Sequence, residues 1–191
     1  MTAGKPMGLP PNRDGDPPRV SVLIPVHNQA RFLPHALASV ARQGFASLEL
    51  IVADDGSTDD PEQATLPYAA CRFFRRARQG ITETLNFALS QARGDYVTFL
   101  DADDWWSEDK LVKQVGLLDA LPHVDIAVGS VLPVRCACDD PVNAMLEPVS
   151  IPFPLLNLGS VVMRRSAFDR VGPLDPHLLM AADWDWFLRA H

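Results

Sequence analysis

Cysteine is scarce in this sequence of 191 residues, which contains only Cys71, Cys136 and Cys138. An odd number of cysteines without regular spacing gives no disulfide framework. Cys136 and Cys138 have no second Cys or His pair at ligand spacing, so the sequence does not support a zinc site. This usage is typical of a protein in a reducing compartment.

Long hydrophobic runs are also missing. No run approaches the roughly 20 apolar residues that a membrane-spanning helix needs, and the first residues lack the apolar stretch of a signal peptide. We therefore expect a soluble, cytoplasmic protein without a transmembrane segment.

An excess of positive charge is absent as well, since the net charge is −7. An acidic protein is not attracted to phosphate backbones or anionic lipids, so we do not expect nucleic acid or membranes as partners. Four arginines between residues 72 and 78 form a local basic cluster. This cluster is either a binding patch or, as we favour, a solvated strand end.

Several familiar site motifs are absent. The first strand is not followed by G-x-G-x-x-G, which argues against a dinucleotide-binding Rossmann site. The sequence contains neither a P-loop motif nor a G-x-S-x-G elbow, and its five histidines are scattered. P-loop NTPases and hydrolases with a catalytic triad therefore have little support.

The sequence does contain a regular alternation of strand-like and helix-like segments. Residues 1–18 are rich in proline and glycine and predict a disordered tail. From residue 19 onward, short β-branched runs alternate with helical spacings, which predicts one α/β domain over residues 19–191 with a mostly parallel sheet between layers of helices. The predicted strands are 19–26, 48–55, 71–76, 95–101, 124–134 and the first half of 159–172; the predicted helices are 28–44, 80–94, 107–121 and 183–191.

Local signals refine two of these helices and predict one further short helix. Pro61 can occupy the first turn of a short helix after the second strand, and Ser107 is suited to cap the helix that follows it. In the segment 80–94 the spacing predicts an apolar face made of Ile81, Leu85, Ala88, Leu89 and Ala92. Residues 139–158 are proline-rich and predict irregular structure.

Acidic side chains follow two of the predicted strands. Asp54 and Asp55 close the second strand, and "DADD" (residues 101–104) closes the fourth. In such sheets, ligands bind beyond the carboxyl ends of the strands. No lysine or arginine lies within five residues of Asp103, so a hard cation such as Mg²⁺ or Mn²⁺ is the natural partner for these carboxylates. The alternative is that the aspartates form turns and cap helices.

Five segments together resemble a known family. "SVLIPVHNQARFLPHALASVARQ", "ELIVADDGSTDD", "GDYVTFLDADDWW", "GSVVMRRSAFDRVG" and "ADWDWFLR" are similar, in order, to the signature blocks of the family 2 glycosyltransferases. The resemblance implies a GT-A-like, Rossmann-type sheet sandwiched by helices. It also implies an inverting transfer of a sugar from a nucleotide-diphosphate donor to a hydroxyl acceptor, with Mn²⁺ or Mg²⁺ as cofactor.

The same resemblance implies roles for individual donor-site residues. Pro25, Val26 and Asn28 lie in the segment beside the nucleotide base, and Asp55 corresponds to the base-binding aspartate. Asp101 and Asp103 match the DxD motif. Asp103 is the expected direct metal ligand, and Asp101 is expected to contact the ribose or a water on the metal.

The catalytic base is the remaining role that the resemblance implies. Asp183 occupies its position at the start of the last helix, whereas the acid that usually precedes it is replaced by Ala182. Asp185 is the alternative base. Asn86 matches a frequent family asparagine, but Leu85 stands where an arginine is common. Trp105 and Trp106 either flank the donor sugar or belong to the core.

Two alternatives stay open beside the transferase. The first is a scaffold domain that binds nucleotide-sugars without turnover, which is favoured by Ala182 and by the end of the chain soon after Asp183. Members of the family usually continue beyond this point, so we expect the C-terminal part of the domain to be missing. A sugar nucleotidyltransferase is less well supported, because it usually carries a Gly-rich, basic loop after the first strand. The acceptor is a saccharide, a lipid-linked group or a small molecule, and an oligomer is compatible with the sequence.

Overall fold

The computed structural model describes residues 17–68, 70–136, 146–178 and 180–191. Most of the predicted tail and Cys138 lie outside these residues, as does part of the proline-rich segment. Among the described residues, no helix is both long and apolar enough to cross a membrane.

A six-stranded sheet forms the centre of the fold, with the strand order β3-β2-β1-β4-β10-β5. Strands β1 to β4 are parallel to one another, whereas β10 is antiparallel to both of its neighbours. The predicted mostly parallel sheet is confirmed. Its strands are β1 (Val20–Val26), β2 (Leu48–Asp55), β3 (Cys71–Arg76), β4 (Tyr96–Phe99), β5 (Ile126–Val128) and β10 (Val161–Arg164).

The predicted strand over residues 124–134 is divided in the structure. It contributes β5 to the central sheet and then β6 (Ser130–Val131), which pairs with β9 (Phe153–Pro154) in a separate ribbon. A second ribbon joins β7 (Val134–Cys136) to β8 (Leu146–Pro148). The division occurs at Gly129, whose N–H donates to the carbonyl of Ser160 at 3.0 Å. The described end of the proline-rich segment is therefore partly ordered by strand pairing.

Helices cover both faces of the sheet. Their bounds are α1 (Leu33–Ala41), α2 (Ile81–Gln91), α3 (Lys110–Ala120), α4 (Arg165–Val171) and α5 (Ala182–Arg189), with two 3-10 helices at Pro61–Thr65 and Leu158–Ser160. One hydrophobic cluster joins the sheet to α1 and α3. The other joins it to α2, α4 and α5. Because side chains alternate along a strand, β1 supplies Val22 and Ile24 to the first cluster and Leu23 to the second.

Three local predictions were wrong. Ser107 does not cap α3, because that helix begins at Lys110 and the Ser107 carbonyl instead accepts a hydrogen bond from Gln43 Nε2 at 2.6 Å. Ile81 is half exposed at the start of α2, whereas Thr82 and Thr84 are buried. Helix α1 begins at Leu33, five residues later than predicted, because residues 27–31 form a turn.

Two of the four arginines in the basic cluster are paired with carboxylates of the protein. Arg72 pairs with the buried Glu49 at 3.1 Å, and Arg75 pairs with Asp60 at 2.9 Å. These ion pairs favour the interpretation of the cluster as a strand end over that of a binding patch.

Lys110, the first residue of α3, carries an amine that is largely enclosed by protein. Its Nζ donates to Gln114 Oε1 at 2.6 Å and to the carbonyl of Ser160 at 3.3 Å, and it lies 5.0 Å from the centre of the Trp106 ring. No carboxylate forms a salt bridge with it among the described residues. Burial lowers the pKa of Lys110 to about 7.

This buried amine predicts a pH-dependent stability. Between pH 7 and the ordinary lysine pKa, the unfolded chain binds a proton at Lys110 that the folded chain has released, so stability contributed by this group rises with pH. The difference in unfolding free energy between wild type and Lys110→Met should therefore shift by about 4 kcal/mol in favour of wild type from pH 6 to pH 10, as measured by urea denaturation.

Lys113→Met is the matched control, because Lys113 lies one turn away on the same helix and is exposed. Its difference from wild type should stay nearly constant between pH 6 and pH 10. Parallel curves for Lys110→Met and wild type over this range would show that the amine titrates as an ordinary lysine.

Candidate functional site

The carboxyl ends of three parallel strands meet at one edge of the sheet. Val26 of β1 is in register with Asp54 of β2, and Leu23 of β1 is in register with Phe99 of β4. Asp101 follows Phe99 by two residues, which places it near the level of Pro25. The "PVHN", "ADD" and "DADD" segments are therefore neighbours, as the sequence predicts.

Two turns at this edge are joined by hydrogen bonds. Asn28 has a left-handed backbone conformation (φ 53°), and its N–H donates to Ser57 Oγ at 2.9 Å. Its side-chain oxygen accepts from the Thr58 N–H at 2.8 Å. The side chains of Pro25 and Val26 are buried, so these two residues can offer only backbone groups to a ligand.

The two aspartates that end β2 have different surroundings. Asp54 is fully buried and accepts the Ser57 N–H at 2.8 Å, which makes it a turn-forming residue. The Asp55 carboxylate accepts the backbone N–H groups of Gln79 at 2.7 Å and Gly80 at 3.0 Å. Asp55 therefore orders the loop before α2, in which Gly80 has the positive φ of 97° that favours glycine.

Asp101, Asp103 and Asp104 form an acidic group after β4. All three are accessible to solvent, and none forms a salt bridge within the described part of the chain. Desolvation by the surrounding protein raises the pKa of Asp101 to about 6, with further contributions from Asp104, Asp103 and Asp183. Desolvation and then Asp103 raise the pKa of Asp104.

The donor chemistry of this acidic group fits a hard divalent cation. Carboxylate oxygens are the ligands that Mg²⁺ and Mn²⁺ prefer, and a cation here would relieve the repulsion that raises the pKa of Asp101. In residues 17–68, 70–136, 146–178 and 180–191, no group of three or more His, Cys, Asp or Glu side chains is arranged to hold a metal.

Asp183, on helix α5, is the last of the contributors to the raised pKa of Asp101, after desolvation, Asp104 and Asp103. Asp183 is half-buried in the first turn of α5, and its Oδ1 accepts the Trp184 N–H at 2.9 Å. Asp185 is instead paired with Arg189 at 2.8 Å. Of the two candidate bases, Asp183 has the electrostatic contact with the DxD segment, and Asp185 is engaged on its own helix.

The two neighbouring tryptophans have separate environments. Trp106 is 7% exposed and belongs to the core, whereas Trp105 is 37% exposed beside the acidic group. The core interpretation therefore holds for Trp106, and Trp105 remains available to a ligand.

The structure also shows contacts that the sequence did not predict. The N–H groups of Gln79 and Gly80 bind Asp55, and Asn86 binds the backbone of Leu174, before α5. These are backbone contacts between distant segments, and such contacts leave no local pattern in the sequence.

A cavity of about 320 Å³ lies at the other edge of the sheet, near the amino ends of β1 and β4. Its lining includes Arg19, Arg164 and Arg165 together with Asp95 and Asp169. Arg19 pairs with Asp119 at 2.8 Å, and Arg164 donates to the carbonyls of Val124 and Leu118. The mixed charge and these internal bonds indicate a structural role, and the acidic edge remains the candidate site.

Comparison with known proteins identifies relatives of this chain in sequence and in structure. An uncharacterized glycosyltransferase of Rickettsia typhi is 33% identical over 113 residues, which cover 58% of this chain and 35% of the relative. Among solved structures, S. aureus TarS 1–349 in complex with UDP-GlcNAc has a TM-score of 0.71 and 22% identity, over 90% of this chain and 53% of that chain.

A mannosyltransferase from Pyrobaculum calidifontis, solved with GDP-Man and Mn²⁺, has a TM-score of 0.67 and 24% identity, over 94% of this chain and 53% of that chain. At this identity the two structural likenesses show the fold, and they confirm the predicted GT-A-type architecture. The chain spans less than two thirds of the length of each of these three proteins.

The family described as glycosyl transferase family 2 matches residues 21–153. This range contains β1 to β4 and the acidic group, and it makes up more than half of the chain. The family that the five segments predict is therefore confirmed, and the chain belongs to glycosyl transferase family 2.

Proposed function

We propose that this chain is the donor-binding and catalytic part of an inverting, metal-dependent glycosyltransferase. The observation that carries the proposal is the meeting of the carboxyl ends of β1, β2 and β4 at one edge of the sheet, where β4 leads into Asp101 and Asp103. The charge of Asp183 is a further support, since it contributes to the raised pKa of Asp101. One side of such a site can hold a nucleotide diphosphate, and the other can take a proton from an acceptor.

The donor side of the proposed site contains the two joined turns and the DxD segment. The turn at Asn28 and the loop held by Asp55 would enclose the base. Asp103 would bind the metal directly, and Asp101 would contact the ribose or a water on the metal. A bound Mn²⁺ or Mg²⁺ would supply stabilisation of the negative charge that develops on the departing nucleotide diphosphate.

The proton-transfer step falls to Asp183. An acceptor hydroxyl that attacks the anomeric carbon forms a new carbon–oxygen bond as the bond to the diphosphate breaks. Asp183 takes the hydroxyl proton, and inversion follows because attack occurs on the face opposite the leaving group. TarS and the mannosyltransferase were solved with UDP-GlcNAc and GDP-Man, which makes these two compounds the first donors to test.

Donor hydrolysis tests the proposal without knowledge of the acceptor, because water then replaces the acceptor hydroxyl. With Mn²⁺, the protein should release sugar from UDP-GlcNAc or from GDP-mannose, and proton NMR should first detect the anomer opposite to that of the donor. Nucleotide binding without release of sugar would instead support the scaffold alternative, which the replacement of the usual acid by Ala182 favours. Release of the same anomer would exclude inversion.

A further inference from the structure

Asn86 binds a segment that is distant in sequence and leads to the proposed base. Its Nδ2 donates to the carbonyl of Leu174 at 2.9 Å, and its Oδ1 accepts the N–H of the same residue at 2.9 Å. The side-chain amide thus pairs with one backbone unit much as a neighbouring β-strand would. Leu174 itself is 1% exposed, so this anchor lies within the protein.

Further contacts hold other parts of this segment, residues 172–178 and 180–181, which we call the base-presenting loop. Thr82, one turn before Asn86 on α2, has its hydroxyl 3.3 Å from the Leu178 carbonyl. From the other side, α5 contributes Trp186, whose Nε1 donates to the Gly172 carbonyl at 2.8 Å. The loop is therefore attached to α2 and to α5.

The attachment matters because α5 is short. A helix of eight residues has little stability of its own, and Ala181 before it has a left-handed conformation (φ 60°) that is unfavourable for alanine. Tertiary contacts must therefore fix the position of the first turn, which carries Asp183. Two of the contacts above between the loop and α2 come from Asn86, and each is 2.9 Å long. The third, from Thr82, is longer, at 3.3 Å.

We propose that Asn86 is a positioning residue for sugar transfer: by holding Leu174, it fixes the distance and orientation of Asp183 relative to the DxD segment. This inference rests on the proposed function, because it concerns the base of that reaction. Asn86 does not touch the donor in this account, so its loss should leave nucleotide and metal binding intact. A displacement of about 1 Å in a catalytic group is sufficient to lower a rate about 100-fold.

Asn86→Ala and Asn86→Asp test the inference, with Ser90→Ala as the matched control. Ser90 lies one turn further along α2, is exposed, and donates to the Phe87 carbonyl of its own helix. Asn86→Ala removes both bonds to Leu174, whereas Asn86→Asp retains the acceptor and loses the amide donor. Each protein is assayed for hydrolysis of UDP-GlcNAc and GDP-mannose with Mn²⁺, for binding of UDP and GDP, and for hydrogen exchange of residues 172–185.

We expect Asn86→Ala to lower kcat by about 10- to 100-fold with the donor KM and the nucleotide Kd changed less than about twofold. Hydrogen exchange should accelerate in the base-presenting loop and not in β1 or β4. Asn86→Asp should show the same effects to a smaller degree, and Ser90→Ala should match wild type. In an Asp183→Asn background, Asn86→Ala should cause no further loss, because the group that it positions is already absent.

Three results would overturn the role of Asn86 without affecting the proposed function. The first is a wild-type kcat in both Asn86 variants. The others are parallel losses of kcat and nucleotide affinity, and a further loss of kcat when Asn86→Ala is added to Asp183→Asn. A wild-type protein that binds nucleotide but hydrolyses neither donor would overturn the proposed function and, with it, the role of Asn86. The two failures are therefore distinguishable.

Discussion

Asp183→Asn is expected to stop sugar transfer while nucleotide binding is retained. The amide keeps the size of the side chain and its hydrogen bond from the Trp184 N–H, but it cannot take a proton from the acceptor. General base catalysis contributes about 10²- to 10⁴-fold, so kcat for donor hydrolysis should fall by that amount. The Kd for UDP or GDP with Mn²⁺ should stay within about threefold of wild type, or become lower because a negative charge near Asp101 is removed.

Asp185→Asn is the matched control for this prediction. Asp185 lies on the same helix turn and is the other candidate base, yet its carboxylate is engaged by Arg189. We expect its kcat to remain close to wild type. If Asp183→Asn kept full turnover, or if Asp185→Asn lost as much, the base would not be Asp183.

Asp103→Asn is expected to abolish metal-dependent nucleotide binding. An asparagine oxygen is neutral and a weaker ligand for Mn²⁺ or Mg²⁺ than a carboxylate, and the diphosphate would then face the acidic group with no cation between them. In thermal denaturation, UDP or GDP with Mn²⁺ should raise the Tm of the wild-type protein and leave that of Asp103→Asn unchanged.

Without metal and nucleotide, Asp103→Asn should not lower the unfolding temperature of the protein. Removing one charge from the acidic group relieves repulsion with Asp101 and Asp104, so Asp103→Asn should unfold at the same temperature as wild type or a few degrees higher. This result would separate lost binding from lost folding. Asp95→Asn, at the opposite edge of the sheet, is the control and should bind nucleotide normally. A nucleotide-induced shift in Asp103→Asn equal to that of wild type would contradict the assignment of the metal ligand.

The strands were the most predictable part of the fold. The ranges predicted for β2 and β3 match the structure at both ends. β2 contains a run of Leu, Ile and Val, and β3 contains the aromatic pair Phe73 and Phe74, residue types that favour strands. The direction of β10 and the division of the strand at Gly129 were not predictable. Both depend on pairing between segments far apart in the chain, such as the bond from Gly129 to Ser160, and periodicity reports only local structure.

Candidate site residues could be named from the sequence where a side chain itself carries the chemistry. Asp101, Asp103 and Asp183 stand out by residue type and position, and their roles stay predictions; the charges of Asp103 and Asp183 contribute to the raised pKa of Asp101. Asp54 is identical in type to Asp55 and adjacent to it, but it serves the turn at Ser57, a difference that appears only when burial is known. Asn86 was predictable as a position but not in its contact, since its partner is a backbone group 88 residues away.

Calorimetric titration of the wild-type protein with UDP and with GDP, in Mn²⁺ and again in EDTA, tests whether the acidic edge of the sheet binds a nucleotide diphosphate through a divalent cation. We predict a saturable heat of binding for at least one of the two nucleotides in Mn²⁺ and its loss in EDTA. Equal affinity in Mn²⁺ and EDTA, or no binding of either nucleotide in Mn²⁺, would contradict this mode of binding.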